Sequence, residues 1–452
     1  MSHFEQSVEL PVSAARAFDW HAAPGAFERL TPPFQDVKVV ERELAPGART
    51  ILEDGGRVVL SMPFGPFHRR YVARHEGYVP GACFVDRMEE GPFRSWVHTH
   101  RFVDTPTGST LTDAIDYDVG ALAFAADGFA ARTLASVFAL RHHRTRHDLA
   151  RHAETPRALQ VGVTGATGLV GTALMPYLTA GGHGVKAFGR AGKGGDIPWD
   201  PARGKLDGAH LRGLDAVVHL AGANIAERWT EAWRKEVMDS RVLSTRLLAE
   251  TMAACEGGPR TLVVASGIGY YGDGGDTILD ESSPLGGGFA AEVCRQWEAA
   301  ADAARAVGIR VVHLRIGIVM ARKGGALGQL VPVYQGGAGG PVGTGRQWQS
   351  WIGMDDLLDV ILRALWDEGL SGVVNAVSPN PLRQADFARA LGRVLSRPAV
   401  LPTPAFAMRL AFGEMAEELL LAGARVAPGR LKERGFAWRS PELEGALHLE
   451  LG

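Results

Sequence analysis

Residues 159–171 read LQVGVTGATGLVG: an apolar run, then glycines at 165, 168 and 171, then the start of a helix-like pattern. Strand, tight glycine turn and helix in that order bring the backbone at Gly165, Thr167, Gly168, Leu169, Val170 and Gly171 to a helix N-terminus. Unpaired N–H groups and the helix dipole favour negative charge there. The glycines allow a sharp turn, close approach of backbone to a pyrophosphate, and tight packing of the helix. A plain turn could carry the same glycines. The strand before and the helix after them favour the dinucleotide reading. This stretch therefore demands a parallel sheet in which ligand binds at the strand ends.

The sequence around it agrees. From Leu159 onward, LQVGVTG, GVKAFGR, DAVVHLAGA, RTLVVASG, IRVVHLRIG and GVVNAVS alternate with helical segments. That order predicts an α/β Rossmann-type parallel sheet with helices on both faces. GVKAFGR ends in Gly189 and Arg190. A cation at this place suits a 2′-phosphate, hence NADP rather than NAD, with Lys193 near enough to help. An exposed surface arginine is the plainer alternative. HLAGANI puts Leu220, Ala221 and Gly222 at the carboxyl edge, with room for a ribose, and VVASGIGYYGDGG puts Ser266, Tyr270 and Tyr271 beside the nicotinamide end.

Residues before about 120 follow a different pattern. KVVERE, RTILED, RVVLSM, HRRYVARHEGYV, ACFVDRME, RSWVHTHRFVD and STLTDAIDYDV predict short strands bounded by Gly, Pro and Asp. VSAARAFDWHAAPGAFERL predicts one early helix with Ser13 as N-cap. GALAFAADGFAARTLASVFALRHHRTRHDLARH predicts a long closing helix. Its basic run from Arg141 to His152 suits a solvated helix end. The expected fold is a curved antiparallel sheet closed by a long helix over 1–153, followed after the ETPRA linker by the sheet domain over 158–452. In RSWVHTHRF, Trp96, His98, His100 and Phe102 share one strand face. Two such histidines could ligate a metal with a third partner, but pocket lining or local hydrogen bonds is the ordinary use, so no metal is expected.

Composition narrows the function classes. The 452 residues are 46% hydrophobic and 22% charged, with net charge -2, which offers no general attraction for nucleic acid or anionic membrane. No apolar run spans a bilayer, and the start lacks the pattern of a secretion signal. Three scattered cysteines, Cys83, Cys255 and Cys294, suggest neither a disulfide framework nor a zinc site, and point to a reducing, cytoplasmic setting.

TGATGLVG, HLAGA, SGIGYYG and LRIGIVM together resemble the extended short-chain dehydrogenase/reductases, relatives of nucleotide-sugar epimerases. RWTEAWRKEVMDSRVLSTRLL, VCRQWE, SWIGMDDL, NAVSPNPLRQADFARALGRVLSRPA and LKERGFAW narrow the resemblance to an atypical epimerase-family branch of unknown substrate. It covers residues 159–452. The resemblance implies an NADP-type cofactor and an altered catalytic set. Ordinary members use Asn, Ser, Tyr and Lys. Here the asparagine position holds Arg241, Ser266 keeps the serine, with a one-residue ambiguity in its spacing to Tyr271, and the tyrosine and lysine fall at Ala290 and Cys294. Gly353 stands where relatives usually show histidine. The epimerase-branch resemblance also implies a small helical module from about Pro381. PGAFERLTPPFQDVKVV, YVPGACFVDRMEEGPFRSWVHTHRF and TLTDAIDYDV make the first half similar to START-like, polyketide-cyclase domains, which implies an α+β helix-grip fold with an apolar cavity for a hydrophobic ligand.

Ala290 can transfer no proton, and Cys294 cannot do a lysine's electrostatic work. The thiol could act as an acid if Arg241 lowered its pKa, or it could be a small core residue. Tyr271 is the best replacement acid, or a packing aromatic in the turn. Glu227, Arg228 and Trp229 either flank the nicotinamide side or cap the next helix. Gly324–Trp351 either covers substrate or forms a loop. The expectation is an NADP(H)-dependent oxidoreductase or epimerase-like reaction on an unknown small molecule. The alternatives are a non-catalytic NADP(H) sensor and a lipid-like carrier regulated by the cofactor domain.

Overall fold

The computed structural model describes residues 1–64, 67–120, 123–190 and 194–452, with the side chains of 64, 123–127 and 129 left undescribed. The chain forms two compact units. One holds Met1–Pro156 with Pro176–Gly182 and Gly452; the other holds Arg157–Met175 and His183–Leu451.

The first unit runs β1 (Ser2–Leu10), α1 (Ala14–Ala22), α2 (Ala26–Leu30), β2 (Lys38–Glu43), β3 (Arg57–Phe64), β4 (Phe67–Val79), β5 (Cys83–Glu90), β6 (Ser95–Thr105), β7 (Gly108–Asp118) and α3 (Ala123–Ala153). Its antiparallel sheet has the order β1-β7-β6-β5-β4-β3-β2. Strand β1 alternates strictly, with Phe4 and Val8 half-buried and Leu10 buried, but the sequence reading passed over it. Ser13 caps α1 as expected, accepting the Arg16 N–H at 3.4 Å. The single early helix is two, because Pro24 and the left-handed Gly25 (φ 89°) break it.

RTILED is a turn rather than a strand. Glu53 Oε1 accepts the Arg49 and Thr50 N–H groups at 2.8 and 3.1 Å, a local pairing that competes with a sheet ladder. The basic run on α3 is also corrected. Its first two predicted residues after Gly120 lie outside the described residues, but His142, Arg144 and His152 are buried. Helical spacing turns His142 inward, where its Nε2 lies 2.6 Å from Asp113 Oδ2, and Arg144 donates to the Arg29 carbonyl at 3.0 Å. Ile115, Tyr117, Leu134, Val137 and Phe138 form the apolar contact between β7 and α3.

The second unit begins with β8 (Gln160–Thr164), the start of α4 (Leu169–Ala180, of which residues from Pro176 on belong to the first unit), β9 (Gly184–Arg190), β10 (Ile197–Asp200), β11 (Lys205–Leu206), β12 (Ala216–His219), α5 (Glu231–Ala254), β13 (Thr261–Gly267) and α6 (Phe289–Ala299). It continues with β14 (Arg310–Ile316), α7 (Gly325–Gln335), α8 (Met354–Trp366), β15 (Gly372–Ala376), α9 (Gln384–Val394), α10 (Ala405–Phe412) and α11 (Leu443–Leu451). The sheet order is β11-β10-β9-β8-β12-β13-β14-β15, parallel except for the β10–β11 edge. This is the expected Rossmann-type sheet. The chain leaves β8 toward β9 on one side and returns to β12 on the other, so the switch point lies between β8 and β12.

The β8, β12, β13 and β14 strands are almost wholly buried, as parallel strands covered on both faces must be. Val217, Leu248, Leu262, Val264, Trp297, Ala301 and Val311 pack α5 and α6 on the sheet. Gly324–Trp351 contains α7, whose Leu327, Val331 and Tyr334 are buried. They join Phe387, Leu391, Leu443 and Leu447 in one cluster, so the helices after Pro381 share a core with the sheet domain. Truncating a fully buried leucine such as Leu391 to alanine costs about 2–5 kcal/mol. Among the described residues no helix is long and apolar enough to cross a membrane.

Candidate functional site

The site is built where β8, β12 and β13 end. Gly165 has φ +67°, and a Cβ there would sit 2.8 Å from the Leu220 carbonyl carbon. A Cβ on Gly171 would sit 2.2 Å from the Gly165 oxygen. Both positions therefore exclude any side chain. Gly168 meets only the Gly165 oxygen, at 3.2 Å, and lies exposed at the tip with Thr167. Leu169 and Val170 open α4, half-buried. The turn is thus a cradle of backbone at a helix start, of the shape a pyrophosphate requires.

Two residues absent from the sequence reading fix this turn. Thr164 Oγ1 accepts the N–H groups of Leu220 and Ala221 at 3.1 and 3.2 Å and lies 2.7 Å from His219 Nδ1. His219 Nε2 is 3.1 Å from Ser244 Oγ, which donates to the Ser240 carbonyl at 2.6 Å. Burial, then the nearby Arg241, lowers the His219 pKa to about 3, so the ring is neutral. The network assigns the Nε2–H tautomer, with Thr164 donating to Nδ1. A Thr at the end of one strand and a His at the end of its neighbour were the available signal.

Gly189 is pressed against Gly194, whose oxygen would lie 1.6 Å from an added Cβ, and Arg190 is exposed at the end of β9. Lys193 lies outside the described residues. Gly222 is exposed and backed by Arg241, whose guanidinium carbon would be 3.1 Å from a Cβ there.

On α6, Ala290, Cys294, Trp297 and Glu298 follow helical spacing along one side. Cys294 Sγ donates to the Gly267 carbonyl at 3.5 Å. Burial raises its pKa, outweighing that hydrogen bond and the pull of Ser266 and Arg241. Arg241 stacks 4.9 Å over the Trp297 ring, and burial lowers its own pKa to about 10. Arg241, Ser266 and Cys294 are therefore neighbours, with the thiol neutral. Ala290 faces the loop after β13, where a Cβ on Gly269 would be 3.2 Å away. The N–H groups of Phe289 and Ala290 both donate to the Glu418 carboxylate at 2.9 Å, so a residue between α10 and α11 caps this helix.

Tyr271 belongs to a second set of contacts. Its hydroxyl donates to Asn375 Oδ1 at 2.8 Å and accepts from Arg315 Nη1 at 3.1 Å. Burial raises its pKa, partly offset by those two partners. Ser266 Oγ donates to Glu298 Oε1 at 2.8 Å. Arg315 connects the two sets by pairing with Glu298, and stacks on Tyr270. Glu298, Arg315 and Asn375 were missed from sequence, because each lies on a different element far from the glycine motif.

Trp229 is core rather than cleft lining: it packs edge-on against Phe289 at 4.9 Å, and Thr230 caps α5. Glu227 and Arg228 are exposed, and Arg228 donates to the Leu410 carbonyl at 3.5 Å. A Cβ on Gly353 would meet Asp356 Oδ2 at 3.3 Å, so this position lies in the packed base of α8.

A parallel sheet with a glycine cradle at its switch point defines a dinucleotide-binding domain of the short-chain dehydrogenase kind. Residues 161–376 match the NAD-dependent epimerase/dehydratase family, residues 1–154 match the polyketide cyclase/dehydrase and lipid transport family, and 403–449 match a domain of unknown function. The chain is 39% identical over 290 residues to an epimerase family protein of Mycobacterium bovis, covering 64% of this chain and 96% of that one. It is 38% identical over 295 residues to human epimerase family protein SDR39U1, covering 64% and 98%. Among solved structures, a nucleoside-diphosphate sugar epimerase from Corynebacterium glutamicum is similar over 99% of this chain and 90% of its own, at 33% identity and TM-score 0.79. Human SDR39U1 with NADPH is similar over 65% of this chain and 99% of its own, at 36% identity and TM-score 0.59. The chain belongs to the epimerase family, with a polyketide-cyclase domain fused before the epimerase domain.

Proposed function

We propose that the second unit binds NADP(H) and carries out a redox or epimerase-type reaction on a small molecule. The observation that carries this is the cradle at Gly165, Gly168 and Gly171, where an added side chain would strike backbone at two of the three positions. Arg190, exposed at the next strand end, favours a 2′-phosphate. The NADPH in the human SDR39U1 structure supports the same choice. When bound, the cofactor supplies hydride exchange at its nicotinamide. In this reading Ser266 orients the reacting oxygen and Tyr271 gives or takes the proton, after exchanging its bond to Asn375 for one to substrate. Cys294 stays neutral beside Gly267, and Arg241 supports the Gly222 turn.

Calorimetric titration of the full chain with NADPH and NADH tests the cofactor. No NADPH binding at micromolar protein overturns the reading. A screen of carbonyl and alcohol compounds tests the chemistry. Turnover lost in Ser266→Ala and Tyr271→Phe but kept in Cys294→Ser supports it.

One observation favours a second reading, a non-catalytic NADP(H) sensor. Both candidate hydroxyls donate inward, to Glu298 and Asn375, and the usual tyrosine and lysine positions hold Ala290 and Cys294. NADPH binding without turnover in the screen would select it. For the first unit we propose a hydrophobic ligand. Native mass spectrometry of the purified chain tests this, and an empty domain in every preparation counts against it.

A further inference from the structure

A cluster of metal-ligand type lies in the first unit. Asp86 on β5 stands directly across from His98 on β6 and from His75 on β4, and His100 follows His98 on the same face. His100 Nε2 and His98 Nδ1 lie 3.3 and 3.8 Å from Asp86 Oδ2, and the three donor atoms all fall within 4.8 Å of one another. A tetrahedral metal with bonds of about 2.0–2.2 Å holds its ligand atoms roughly 3.4 Å apart, so a small rotation of these side chains closes the set.

The groups behind the cluster fit the same role. His98 hydrogen-bonds through Nε2 to Asp113 Oδ1 at 2.9 Å, and His100 Nδ1 lies 2.6 Å from that oxygen. His142 Nε2 holds the other Asp113 oxygen at 2.6 Å. A carboxylate behind the ligating imidazoles is the usual support of a metal site, fixing ring orientation and tautomer. Asp86 Oδ1 lies 2.9 Å from His75 Nε2, so a fourth imidazole flanks the cluster.

Charge points the same way. The His98 and His100 ring centroids are 3.8 Å apart, and the Asp113 and Asp86 carboxylates beside them are buried and three-quarters buried. One divalent cation at the donor atoms would balance these two carboxylates. Phe84 stacks on His100 at 4.1 Å and Phe138 meets His98 edge-on at 5.3 Å, giving the cluster an apolar wall.

We propose that Asp86, His98 and His100 form a site for a divalent first-row transition metal, with Asp113 as its outer carboxylate. Two imidazoles and one carboxylate suit Zn²⁺ or Fe²⁺, and leave a coordination position for water or an oxygen-bearing ligand.

The test uses the untagged full chain, stripped with chelator and reloaded. The expected result is one Zn²⁺ per chain retained after desalting, and a Co²⁺ form with the strong visible absorption of a low-coordinate site. Both are lost in Asp86→Asn and in His98→Gln, and Asp113→Asn weakens Zn²⁺ binding by about 10–100-fold at unchanged stoichiometry. Anaerobic loading with Fe²⁺ in competition with Zn²⁺ identifies the preferred metal, and retention of either supports the site. Failure to retain any metal, or retention unchanged in both variants, overturns it. If those variants do not fold, the wild-type chain decides: Zn²⁺ must raise its Tm reversibly on chelation, and no shift overturns the proposal.

Discussion

Arg315 and Glu298 face each other as a fork. The guanidinium Nε and Nη2 each lie 2.9 Å from one oxygen of the carboxylate, in the interior at the carboxyl end of β14. The same carboxylate accepts from Ser266, and the same guanidinium donates to Tyr271. Glu298→Ala leaves a buried guanidinium unpaired and is expected to destabilise the chain by about 3–5 kcal/mol. Glu298→Leu with Arg315→Met removes both charges and should cost less than the sum of the singles. Denaturant unfolding followed by tryptophan fluorescence checks this; strictly additive losses would show that the pair is not coupled.

Cys294 should behave as a packing residue. Its thiol is buried, its pKa is raised by that burial, and it donates to a backbone carbonyl. Maleimide labelling of the native chain at pH 8, read by peptide mass spectrometry, should modify Cys294 at least about tenfold more slowly than the half-buried Cys83 and Cys255. Preferential labelling of Cys294 would instead mark it as a reactive thiol.

The glycine cradle separates folding from binding. Gly165→Ala forces a side chain into φ +67° and against Leu220, and Gly171→Ala drives a methyl into Gly165. Each should lose about 1–3 kcal/mol of stability as well as NADPH affinity. Gly168→Ala meets only one atom, at 3.2 Å, and should unfold almost like wild type while NADPH affinity falls at least about tenfold. Equal affinity in Gly168→Ala and wild type would mean the ligand does not lie over this backbone.

Arg190 tests cofactor choice. Replacing it with alanine removes a charge-assisted contact to a 2′-phosphate, worth about 1.5–3 kcal/mol, so NADPH affinity should fall roughly 10–100-fold while NADH affinity stays level. A parallel loss for both nucleotides would place Arg190 outside the phosphate site.

The architecture of the second unit was legible because its signals are local. A buried parallel strand reads as an apolar run, and Gly165 and Gly171 are required by backbone contacts within one turn and its neighbour. Strand β1 was passed over because polar residues at every second place dilute a strand that is buried on one face. Arg49–Asp54 misled because β-branched residues look strand-like even where Glu53 ties the backbone into a turn. The basic run on α3 misled because charge alone does not say which side of a helix faces the sheet; the partner of His142 is Asp113, on β7. Glu298, Arg315 and Asn375 meet only through the fold, from α6, β14 and β15, so no spacing rule joins them. Glu418 likewise reaches the start of α6 across 128 residues of chain.

Asp356, on the buried α8, gives a pH prediction. Burial and then the neighbouring Asp359 raise its pKa to about 7, against the lowering effect of Arg439 and of the N–H groups of Arg439 and Ser440. Asp359 itself is paired with the Arg439 guanidinium, so that cation is already engaged. A folded pKa above the unfolded value means that the folded chain holds more protons between about pH 4 and pH 7. The stability from this group is therefore complete below about pH 4, is lost as pH rises toward 7, and stays lost above it. Asp356→Asn keeps the shape and the bond from the Arg439 N–H but cannot ionise. Unfolding free energies measured at pH 5 and pH 8 should fall less with rising pH in the variant than in wild type. The variant should be the more stable of the two at pH 8. The same slope in both would show that Asp356 is ionised throughout this range.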